Sequence, residues 1–449
     1  MPADIVDAVT AVLVCDGDVF LLRRQPYLAA FPGYDAFPGG KVEPGESEQP
    51  HSEPLLQCVP PQFLHALIRE LWEELSFDLH AALDVDDVIA ITALGAAQSP
   101  AFVPKRFNTH FFQIELRRQP AFVLDENEIE QSRWRKPAYW LQAYENGDLL
   151  LAPPTLAVLQ ALAQGVDCRP DLSFPQLRDP ERIPQFEAVH GVRHFFVRSN
   201  TLPPADRTNC FLLGDDDQKR ILVDPSPNGR EELERLCQQA GAIGFDEVFL
   251  THHHHDHRQY ANEIARRFNV PIGMSADTES RINAREPRFL DGLCIKNYAG
   301  NDVITYWHSQ ALRLHAVPGH DEGQLALMPD GREFCIVGDL IQGIGTVVIA
   351  APEGDMSRYF STLESIIALN PRVIYPSHGP ALGGVFYLQQ ALKHRREREA
   401  QILALCDAGN SLEEMLTKIY KNVDPRLLPL ARMNITSHLA KLRSEGAIT

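Results

Sequence analysis

The most constraining feature of this sequence is the segment 252–257, in which four consecutive histidines are followed by Asp256 and His257. It comes directly after the apolar segment 247–250, which predicts a buried strand. Neutral imidazoles crowded at one strand end are hard to supply with hydrogen-bond partners, whereas imidazole and carboxylate together suit zinc. Alternate residues of an extended segment point the same way, so His252 and His254 converge, and Asp256 and His257 turn to a second position. The segment therefore predicts a metal site at the end of a strand.

The segment resembles the HxHxDH motif of the metallo-β-lactamase fold, and further motifs follow in that family's order. His320 lies in Val-Pro-Gly-His-Asp, Asp339 in Ile-Val-Gly-Asp, and His378 in Tyr-Pro-Ser-His-Gly-Pro. Upstream, Asp224 in Leu-Val-Asp-Pro matches the family's buried aspartate at a strand end, which supports the histidine loop. The resemblance implies an αββα sandwich.

The same resemblance implies two Zn²⁺ ions held by seven residues. One ion would be bound by His252, His254 and His320, and the other by Asp256, His257 and His378, with Asp339 bridging the two. A hydroxide between the metals would be the nucleophile, because metal binding brings its pKa towards neutrality. Loss of Asp256 or Asp339 should therefore abolish activity. His253 and His255 occupy the family's variable positions and are expected to lie behind the ligands or at the surface.

A second group of candidate residues is a set of carboxylates that follows a glycine turn. The turn is Phe37-Pro-Gly-Gly40, and Glu46 comes after it. A predicted helix then places three glutamates on one face, Glu70, Glu73 and Glu74. Like charges at this spacing repel one another unless a cation or a basic group lies among them. Mg²⁺ or Mn²⁺ suits such oxygen ligands and also suits diphosphate chemistry, while Arg69 could orient Glu46 or Glu70.

These residues resemble the Nudix box, GX5EX7REUXEEXGU. The matching positions are Gly40, Glu46, Arg69, Glu70, Leu71, Glu73, Glu74 and Phe77. Ser76 replaces the usual glycine, and residues 47–68 form a segment of 22 residues where the family has seven. A long insertion is similar to the Nudix branch that includes acyl-CoA diphosphatases. The resemblance implies that the three glutamates bind Mg²⁺ or Mn²⁺, supported by Glu46 and Arg69, and leaves Glu128 and Glu130 as alternative general bases.

The end of the chain differs from the rest in charge. Residues 391–449 are net positive, whereas the whole chain has a net charge of −18. The segments 394–403 and 437–446 resemble the winged-helix-like cap of the lactamase-β-like-2 branch, of which some members cut single-stranded RNA. A basic tail could guide such a strand, with Arg395, Arg396 and Arg398 contributing. A helical cap with solvated charges is slightly favoured, because no aromatic residues interleave with the basic ones.

The predicted organisation is α/β throughout. A Nudix α/β/α sandwich occupies residues 1–165, a linker rich in proline and charge covers 166–185, a metallo-β-lactamase αββα sandwich spans 186–388, and a helical, winged-helix-like domain covers 389–449. Helices are predicted over 63–79, 149–164, 389–408, 412–420 and 433–445.

Composition is typical of an ordinary globular protein, with 44% hydrophobic and 23% charged residues. The apolar segment 9–15 follows acidic residues rather than a basic region, so no signal peptide is expected, and no apolar segment approaches the ~20 residues of a membrane helix. Eight cysteines without a CxxC pair favour a reducing cytoplasm. The negative charge disfavours nucleic acid unless a local basic patch exists.

The expected function is that of a metal-dependent hydrolase with two sites. The Nudix site would cleave a diphosphate-linked nucleotide substrate, with coenzyme A derivatives as one class, and the dinuclear zinc site would hydrolyse a thioester or another ester. The alternative is an endoribonuclease that cuts single-stranded RNA at the zinc site. A non-catalytic sensor is a third hypothesis, and the nearly complete Nudix carboxylate set argues against it. The sequence leaves the oligomeric state open.

Overall fold

The computed structural model describes residues 5–46, 53–100, 103, 105–165, 169–173, 181–421 and 424–448. The chain forms two compact units, residues 1–192 and 193–449. The predicted linker, 166–185, falls within the first unit, and its residues 166–168 and 174–180 lie outside the described ones. Residues 47–52 of the insertion between Glu46 and Arg69 also lie outside them.

The first unit is built around one mixed sheet. Its strands are β1 Ile5–Cys15, β2 Asp18–Arg24, β3 Asp35–Ala36, β4 Val88–Gln98, β5 Arg106–Leu116 and β6 Ile129–Arg135, and a further short strand, β7 Gln185–Phe186, lies outside this sheet. Its α-helices are α1 Pro61–Leu75, α2 Leu79–Asp84, α3 Pro137–Glu145 and α4 Pro153–Gln164, and a 3₁₀ turn covers Pro54–Leu56. The sheet has the order β3-β2-β1-β5-β4, with β6 paired to β2. Only β1 and β5 pair in parallel among the described pairings of this sheet.

The sheet is covered on both faces because alternate residues of β1 point to opposite sides. Leu13 packs in a core that contains α1 and α2, whereas Val12 packs in a core that contains α3 and α4. The β1–β2 hairpin closes at Asp16 and Gly17, which both have positive φ, as a two-residue type I′ turn requires. The predicted α/β/α layering is therefore present in this unit.

Two predicted helices have different limits in the structure. The helix expected over 63–79 is interrupted, because α1 ends at Leu75 and Ser76 adopts a left-handed conformation with φ of 50°. This is the C-cap conformation that glycine favours, so serine occupies it with some strain. The helix expected from Leu149 begins only at Pro153, since Leu150 N–H donates to the Asp35 carboxylate and Leu151 forms an extended bridge.

The second unit contains two further sheets. The first includes β8 Val192–Arg198, β9 Arg207–Leu213, β10 Ile221–Val223, β11 Glu247–Phe249, β12 Ile272–Ser275 and β13 Ile295–Tyr298, in the order β13-β12-β11-β10-β9-β8. The second contains β14 Val303–Trp307, β15 Gln310–Ala316, β16 Leu325–Pro329, β17 Cys335–Gly338, β18 Val373–Pro376 and β19 Leu382–Gly383, in numerical order. Phe211 of β9 and Tyr375 of β18 lie edge to face, with ring centroids 5.4 Å apart, which brings the two sheets together.

Helices lie on this pair of sheets and complete the unit. They are α5 Arg230–Ile243, α6 His255–Arg258, α7 Ala261–Phe268, α8 Ala276–Arg285, α9 Met356–Leu369, α10 Phe386–Asp407, α11 Leu412–Ile419 and α12 Leu428–Ser444, and a 3₁₀ turn covers Pro425–Leu427. The last three helices form a core of their own around Ile402, Met415 and Ile435. The helix expected from Met433 begins five residues earlier, at Leu428, with proline in its first turn. No helix among the described residues is long and apolar enough to cross a membrane.

We expect Leu67→Ala to lower the free energy of unfolding of the first unit by about 2–5 kcal/mol, because Leu67 lies fully buried in the core beneath α1. Trp72→Ala on the same helix is the control, since Trp72 is 57% exposed, and it should change that free energy by less than about 0.5 kcal/mol. Urea unfolding followed by circular dichroism measures both. Equal losses in the two variants would contradict the packing described for α1.

Candidate metal centre

Polar residues follow several strand ends in the second unit. Asp224 comes directly after β10, and Thr251 lies two residues beyond β11, a strand that pairs in parallel with β10. Asp339 follows β17 and His378 lies two residues beyond β18, which pairs in parallel with β17. Because parallel strands end at the same edge of a sheet, each sheet presents its polar loops at one edge.

The structure brings together all seven residues that the sequence singled out. Three groups made up of these seven residues have ligand atoms within 4.8 Å of one another: His252, His254 and His320; His252, His257 and Asp339; and Asp256, His257 and His378. In the first group the Nε2 atoms of His252 and His320 lie 3.1 and 3.0 Å from His254 Nδ1. Three ring nitrogens therefore converge on one point.

Asp339 lies between the first group and the residues around His257. Its Oδ1 atom is 3.6 Å from His257 Nε2 and 3.5 Å from His378 Nε2, and its Oδ2 atom is 3.6 Å from His320 Nε2. Asp256 Oδ2 completes the second set at 3.7 Å from His378 Nε2. The two oxygens of one carboxylate thus face two different sets of ligand atoms.

The nitrogen of each histidine that points away from the centre has a partner. His320 Nδ1 lies 2.9 Å from the Val348 carbonyl, and His378 Nδ1 lies 2.8 Å from the Arg207 carbonyl. A carbonyl can only accept, so Nδ1 carries the proton in both rings, and Nε2 presents its lone pair to the centre. Metal-binding histidines are oriented in this way by partners behind them.

Asp224 supports the histidine loop from below. Its carboxylate accepts from Thr251 N–H at 2.8 Å and from the Thr251 hydroxyl at 2.6 Å, and it lies 2.9 Å from His257 Nδ1. Asp224 is buried and has a φ of 47°, a left-handed conformation that a non-glycine residue adopts only where its surroundings hold it. The contact fixes the His257 ring so that Nε2 faces Asp339.

Three buried polar atoms at the centre lack a hydrogen-bond partner within the described part of the chain. They are His257 Nε2, His378 Nε2 and Asp339 Oδ1. Buried polar atoms are almost always paired, because leaving one unpaired costs about 1–3 kcal/mol. The three atoms face one another, so a single cation with a preference for nitrogen and oxygen ligands would satisfy all of them, as Zn²⁺ does.

The charge state of the histidines is consistent with a cation site. Burial lowers the pKa of His252 well below its usual value, and burial lowers the pKa of His320 to about 4, which keeps both rings neutral and able to bind metal. Burial also disfavours charge on His257. There, however, the carboxylates of Asp339, Asp256 and Asp224 outweigh it and raise the pKa to about 10. Without a metal, a proton on His257 offsets the negative charge of the site.

The two histidines at the variable positions have different environments. His255 is exposed, whereas His253 is fully buried with Nδ1 2.5 Å from Asp321 Oδ2.

Glu353 was missed by the sequence analysis, and its Oε2 lies 2.9 Å from His254 Nε2. Asp321 could have been found because it follows His320 directly, but Glu353 reaches the site through the folding of an irregular loop and carries no signal of its own.

The carboxylate site of the first unit is organised by Arg69. Its Nε atom donates to Glu46 Oε1 at 3.0 Å, and its Nη1 atom donates to Glu70 at 2.8 Å and to Glu73 at 2.9 Å. The structure therefore places Arg69 among Glu46, Glu70 and Glu73, and it accounts for how their negative charges tolerate one another. Arg69 thus contacts both Glu46 and Glu70, the two residues that it was expected to orient, and its role in orienting them stays a prediction.

Glu74 lies apart from the Arg69 cluster. It is buried, and its Oε2 accepts from Gly39 N–H at 2.9 Å. Burial raises the pKa of Glu74 to about 8, with Arg24 opposing and Glu70 adding to the rise. The turn needs glycine at Gly39, which has a φ of 145° and where a Cβ would lie 2.2 Å from the Val9 carbonyl oxygen, and Gly40 lies against the Glu70 carboxylate, since a Cβ there would be 2.1 Å from Oε1. The glycine turn thus brings the backbone against two of the predicted site glutamates.

The three glutamates do not form a close set of ligand atoms in the described structure, unlike the histidines and aspartates of the second unit. The reason is that Arg69 holds Glu70 and Glu73 while Glu74 turns to Gly39. Of the two alternative bases, Glu128 is near enough to raise the pKa of both Glu70 and Glu74, whereas Glu130 is exposed. The Mg²⁺ or Mn²⁺ site remains a prediction.

The three arginines that were expected to guide a nucleic-acid strand differ in exposure. Arg395 is buried, with Nη1 donating to Asn434 Oδ1 at 3.1 Å, so the expectation that it guides a nucleic-acid strand is wrong. Its place on the inner face of α10 explains the difference. Arg396 pairs with Glu364, and Arg398 lies 4.7 Å from the centroid of the Tyr420 ring.

Two segments of the second unit match known protein families. Residues 203–378 match the metallo-beta-lactamase superfamily, and residues 411–449 match the beta-lactamase associated winged helix domain. The chain therefore contains a metal-dependent hydrolase of the metallo-β-lactamase fold with a winged-helix segment at its C-terminal side. These matches begin at residue 203, so the Nudix relationship of the first unit remains a prediction.

Individual relatives agree with this assignment. The beta-lactamase-like protein 2 homolog of Drosophila melanogaster is 29% identical over 255 residues, covering 54% of this chain and 84% of the relative. The atrochrysone carboxyl ACP thioesterase AgnL7 of Paecilomyces divaricatus is 25% identical over 201 residues, covering 43% and 58%. A beta-lactamase domain protein from Burkholderia ambifaria has the same fold, with a TM-score of 0.50, 21% identity and coverage of 59% and 88%.

We expect Glu74→Gln to remove a pH-dependent loss of stability from the metal-free protein. A carboxyl group whose pKa rises on folding from 4.5 to about 8 is protonated in the folded state and ionised in the unfolded state between those values. Its contribution to the free energy of unfolding therefore falls as the pH rises through that window, and stays low above it.

Urea unfolding at pH 4.5 and pH 8.5 in the presence of a chelator measures this effect. Relative to the unmodified chain, Glu74→Gln should gain stability at pH 8.5 and gain little at pH 4.5. The exposed Glu73 on the same helix gives the control variant, Glu73→Gln, which should show a much smaller difference between the two pH values. A Glu74→Gln variant with the same pH dependence as the unmodified chain would contradict the description of this site.

Proposed function

We propose that the second unit is a dinuclear zinc hydrolase that cleaves a thioester or another ester of a small-molecule substrate. The observation that carries this proposal is the position of Asp339, whose two carboxylate oxygens face two separate sets of ligand atoms. The similarity to a protein named as an acyl-carrier thioesterase supports the ester class of substrate. Fold similarity alone would not identify the substrate.

In this proposal each ligand set would hold one zinc ion. His252, His254 and His320 would hold one, and Asp256, His257 and His378 would hold the other, with Asp339 shared. When bound, the pair would supply a hydroxide nucleophile at neutral pH and polarise the ester carbonyl. Asp224 keeps the Nδ1 side of His257 engaged, so that Nε2 remains available to the centre. Glu353 acts in the same way on His254, whose Nε2 it engages while Nδ1 faces His252 and His320.

We further propose that the first unit hydrolyses the diphosphate bond of a nucleoside-diphosphate-linked substrate with Mg²⁺ or Mn²⁺. The contacts of Arg69 with Glu46 and Glu70 support it, together with the approach of Gly40 to Glu70. Glu128, rather than Glu130, is the candidate general base, because it acts electrostatically on Glu70 and Glu74. Binding of a divalent cation would require Glu70 to leave Arg69 in part, or to bind through its second oxygen.

One substrate class would suit both sites. An acyl-coenzyme A contains a thioester at one end and a diphosphate next to the nucleotide at the other, so each unit would have a bond to cleave.

The endoribonuclease alternative depended on the basic tail, and it is weaker now that Arg395 is buried and Arg396 is paired with Glu364. RNA cleavage is retained as an outcome of the substrate test.

We predict that the metal-loaded full chain cleaves members of an acyl-coenzyme A panel at two bonds, as identified by mass spectrometry of the products. Free acid with intact coenzyme A would report thioester hydrolysis. Acyl-phosphopantetheine with adenosine 3′,5′-bisphosphate would report diphosphate cleavage. Absence of both products from protein with its metals bound would contradict the coenzyme A proposal, and single-stranded RNA would then be tried with the same preparation.

Matched variants should separate the two activities. Asp339→Ala should reduce thioester hydrolysis by at least about 10³-fold, since it removes the residue shared by both ligand sets, and should leave diphosphate cleavage unchanged. Glu70→Gln should have the reverse effect. If either variant abolished both products while remaining folded by circular dichroism, the assignment of one reaction to each unit would be wrong.

A further inference from the structure

A short segment of the second unit, residues 347–353, contacts two of the seven candidate ligands from behind. The Val348 carbonyl accepts from His320 Nδ1 at 2.9 Å, and Glu353 Oε2 lies 2.9 Å from His254 Nε2. Glu353 is itself held by an ion pair with Arg285. His254 and His320 belong to the same ligand set, so this segment orients two of the three rings in that set.

The other ligand set has different support. His257 is oriented by the Asp224 carboxylate at 2.9 Å, and His378 by the Arg207 carbonyl at 2.8 Å. Asp224 directly follows β10 and Arg207 begins β9, so both partners lie on or next to strands of the first sheet of the unit. Neither ring contacts residues 347–353 among the hydrogen bonds of the described structure. The two candidate metal positions thus depend on separate parts of the fold.

The C-terminal helices hold the 347–353 segment through three buried side chains, here called the clamp: Arg395, Asn434 and Ser437. Asn434 Oδ1 accepts from Ile349 N–H at 3.1 Å, and the Ser437 hydroxyl donates to the Ile349 carbonyl at 2.6 Å. Arg395 donates to the Val347 carbonyl and, at 3.1 Å, to Asn434 Oδ1. The clamp therefore joins α10 and α12 to the residues on either side of Val348.

The clamp constrains Val348 through the backbone of Ile349. Residues 347–350 belong to no helix or strand, and Ile349 is fully buried, so its backbone groups need partners that the segment does not supply. Asn434 and Ser437 are those partners. Because a peptide unit moves as a rigid plane, fixing the N–H of Ile349 also fixes the carbonyl of Val348, which is part of the same peptide bond.

We propose that the C-terminal helices position the ligands of one of the two metal ions. The contacts run from the clamp to Ile349, from Ile349 to Val348 through their shared peptide bond, and from Val348 to His320. This inference rests on the dinuclear function proposed above. It assigns the winged-helix segment a role in setting the affinity at the position of His252, His254 and His320. The position of Asp256, His257 and His378 is independent of the clamp.

The test compares Ser437→Ala with Thr436→Ala in the full chain. Both hydroxyls lie within hydrogen-bond distance of the carbonyl four residues earlier, Met433 for Ser437 and Arg432 for Thr436, but only Ser437 also reaches the Ile349 carbonyl, at the shorter distance of 2.6 Å. Zinc affinities are measured by competition with a chromophoric chelator, and the coordination geometry by the visible absorption of the Co²⁺-substituted protein. Neither readout depends on catalytic turnover.

The unmodified chain should bind two zinc equivalents. Ser437→Ala should weaken one of them by roughly tenfold, within the range known for partners behind metal ligands, and change the Co²⁺ spectrum, while the other equivalent is unchanged. The weakened equivalent should be the one that His320→Ala abolishes, rather than the one that His378→Ala abolishes. Thr436→Ala should leave both affinities within about twofold of the unmodified chain.

A second pair of variants keeps the inference testable if Ser437→Ala folds poorly. Glu353→Gln removes the charged partner of His254 from the same segment and should weaken the same equivalent. Its control is Glu322→Gln, because Glu322 also pairs with an exposed arginine, Arg358, and contacts none of the ligand histidines in the described structure.

The outcomes distinguish this inference from the function on which it rests. Two equivalents with unmodified affinity in folded Ser437→Ala or, if that variant does not fold, in Glu353→Gln would overturn the inference and leave the dinuclear proposal standing, as would equal weakening of both equivalents. Fewer than two equivalents in the unmodified chain would instead overturn the dinuclear proposal itself, and this inference with it.

Discussion

The account of the second unit depends on a set of buried polar atoms. The fold brings them together without giving them hydrogen-bond partners among the described residues. His257 Nε2, His378 Nε2 and Asp339 Oδ1 are buried and unpaired among the described residues, yet the other nitrogen of both rings is firmly held. Such an arrangement is costly for a polypeptide alone and favourable once a cation is bound. The strained Asp224 and the parallel strand ends hold these atoms in place.

In the first unit, the negative charges of the carboxylate cluster are offset in a different way. There a cation supplied by the chain itself, the Arg69 guanidinium, pairs with Glu46, Glu70 and Glu73. The cluster is therefore satisfied as it stands, apart from Glu74, whose buried carboxyl group remains protonated at neutral pH because burial raises its pKa to about 8. A divalent cation would compete with a guanidinium and a proton here, whereas in the second unit it would fill an unsatisfied position.

The sequence was sufficient to predict those features that depend on local spacing. The HxHxDH segment and the three later motifs named the seven residues that meet in the second unit, since each motif follows the end of a strand. Features that depend on long-range folding were not accessible. Glu353 reaches His254 from 99 residues away along an irregular loop, and Arg395 looks like an exposed basic residue until α10 is packed. The predicted end of a helix was wrong where a single residue ends the helix, as Ser76 does for α1.

The most direct test of this account is anomalous diffraction at the zinc absorption edge from crystals of the zinc-loaded full chain. The account predicts two anomalous peaks in the second unit, one among His252, His254 and His320 and the other among Asp256, His257 and His378, with Asp339 contacting both. A single peak, or two peaks elsewhere, would contradict the central claim that the two sets of ligand atoms form a dinuclear site.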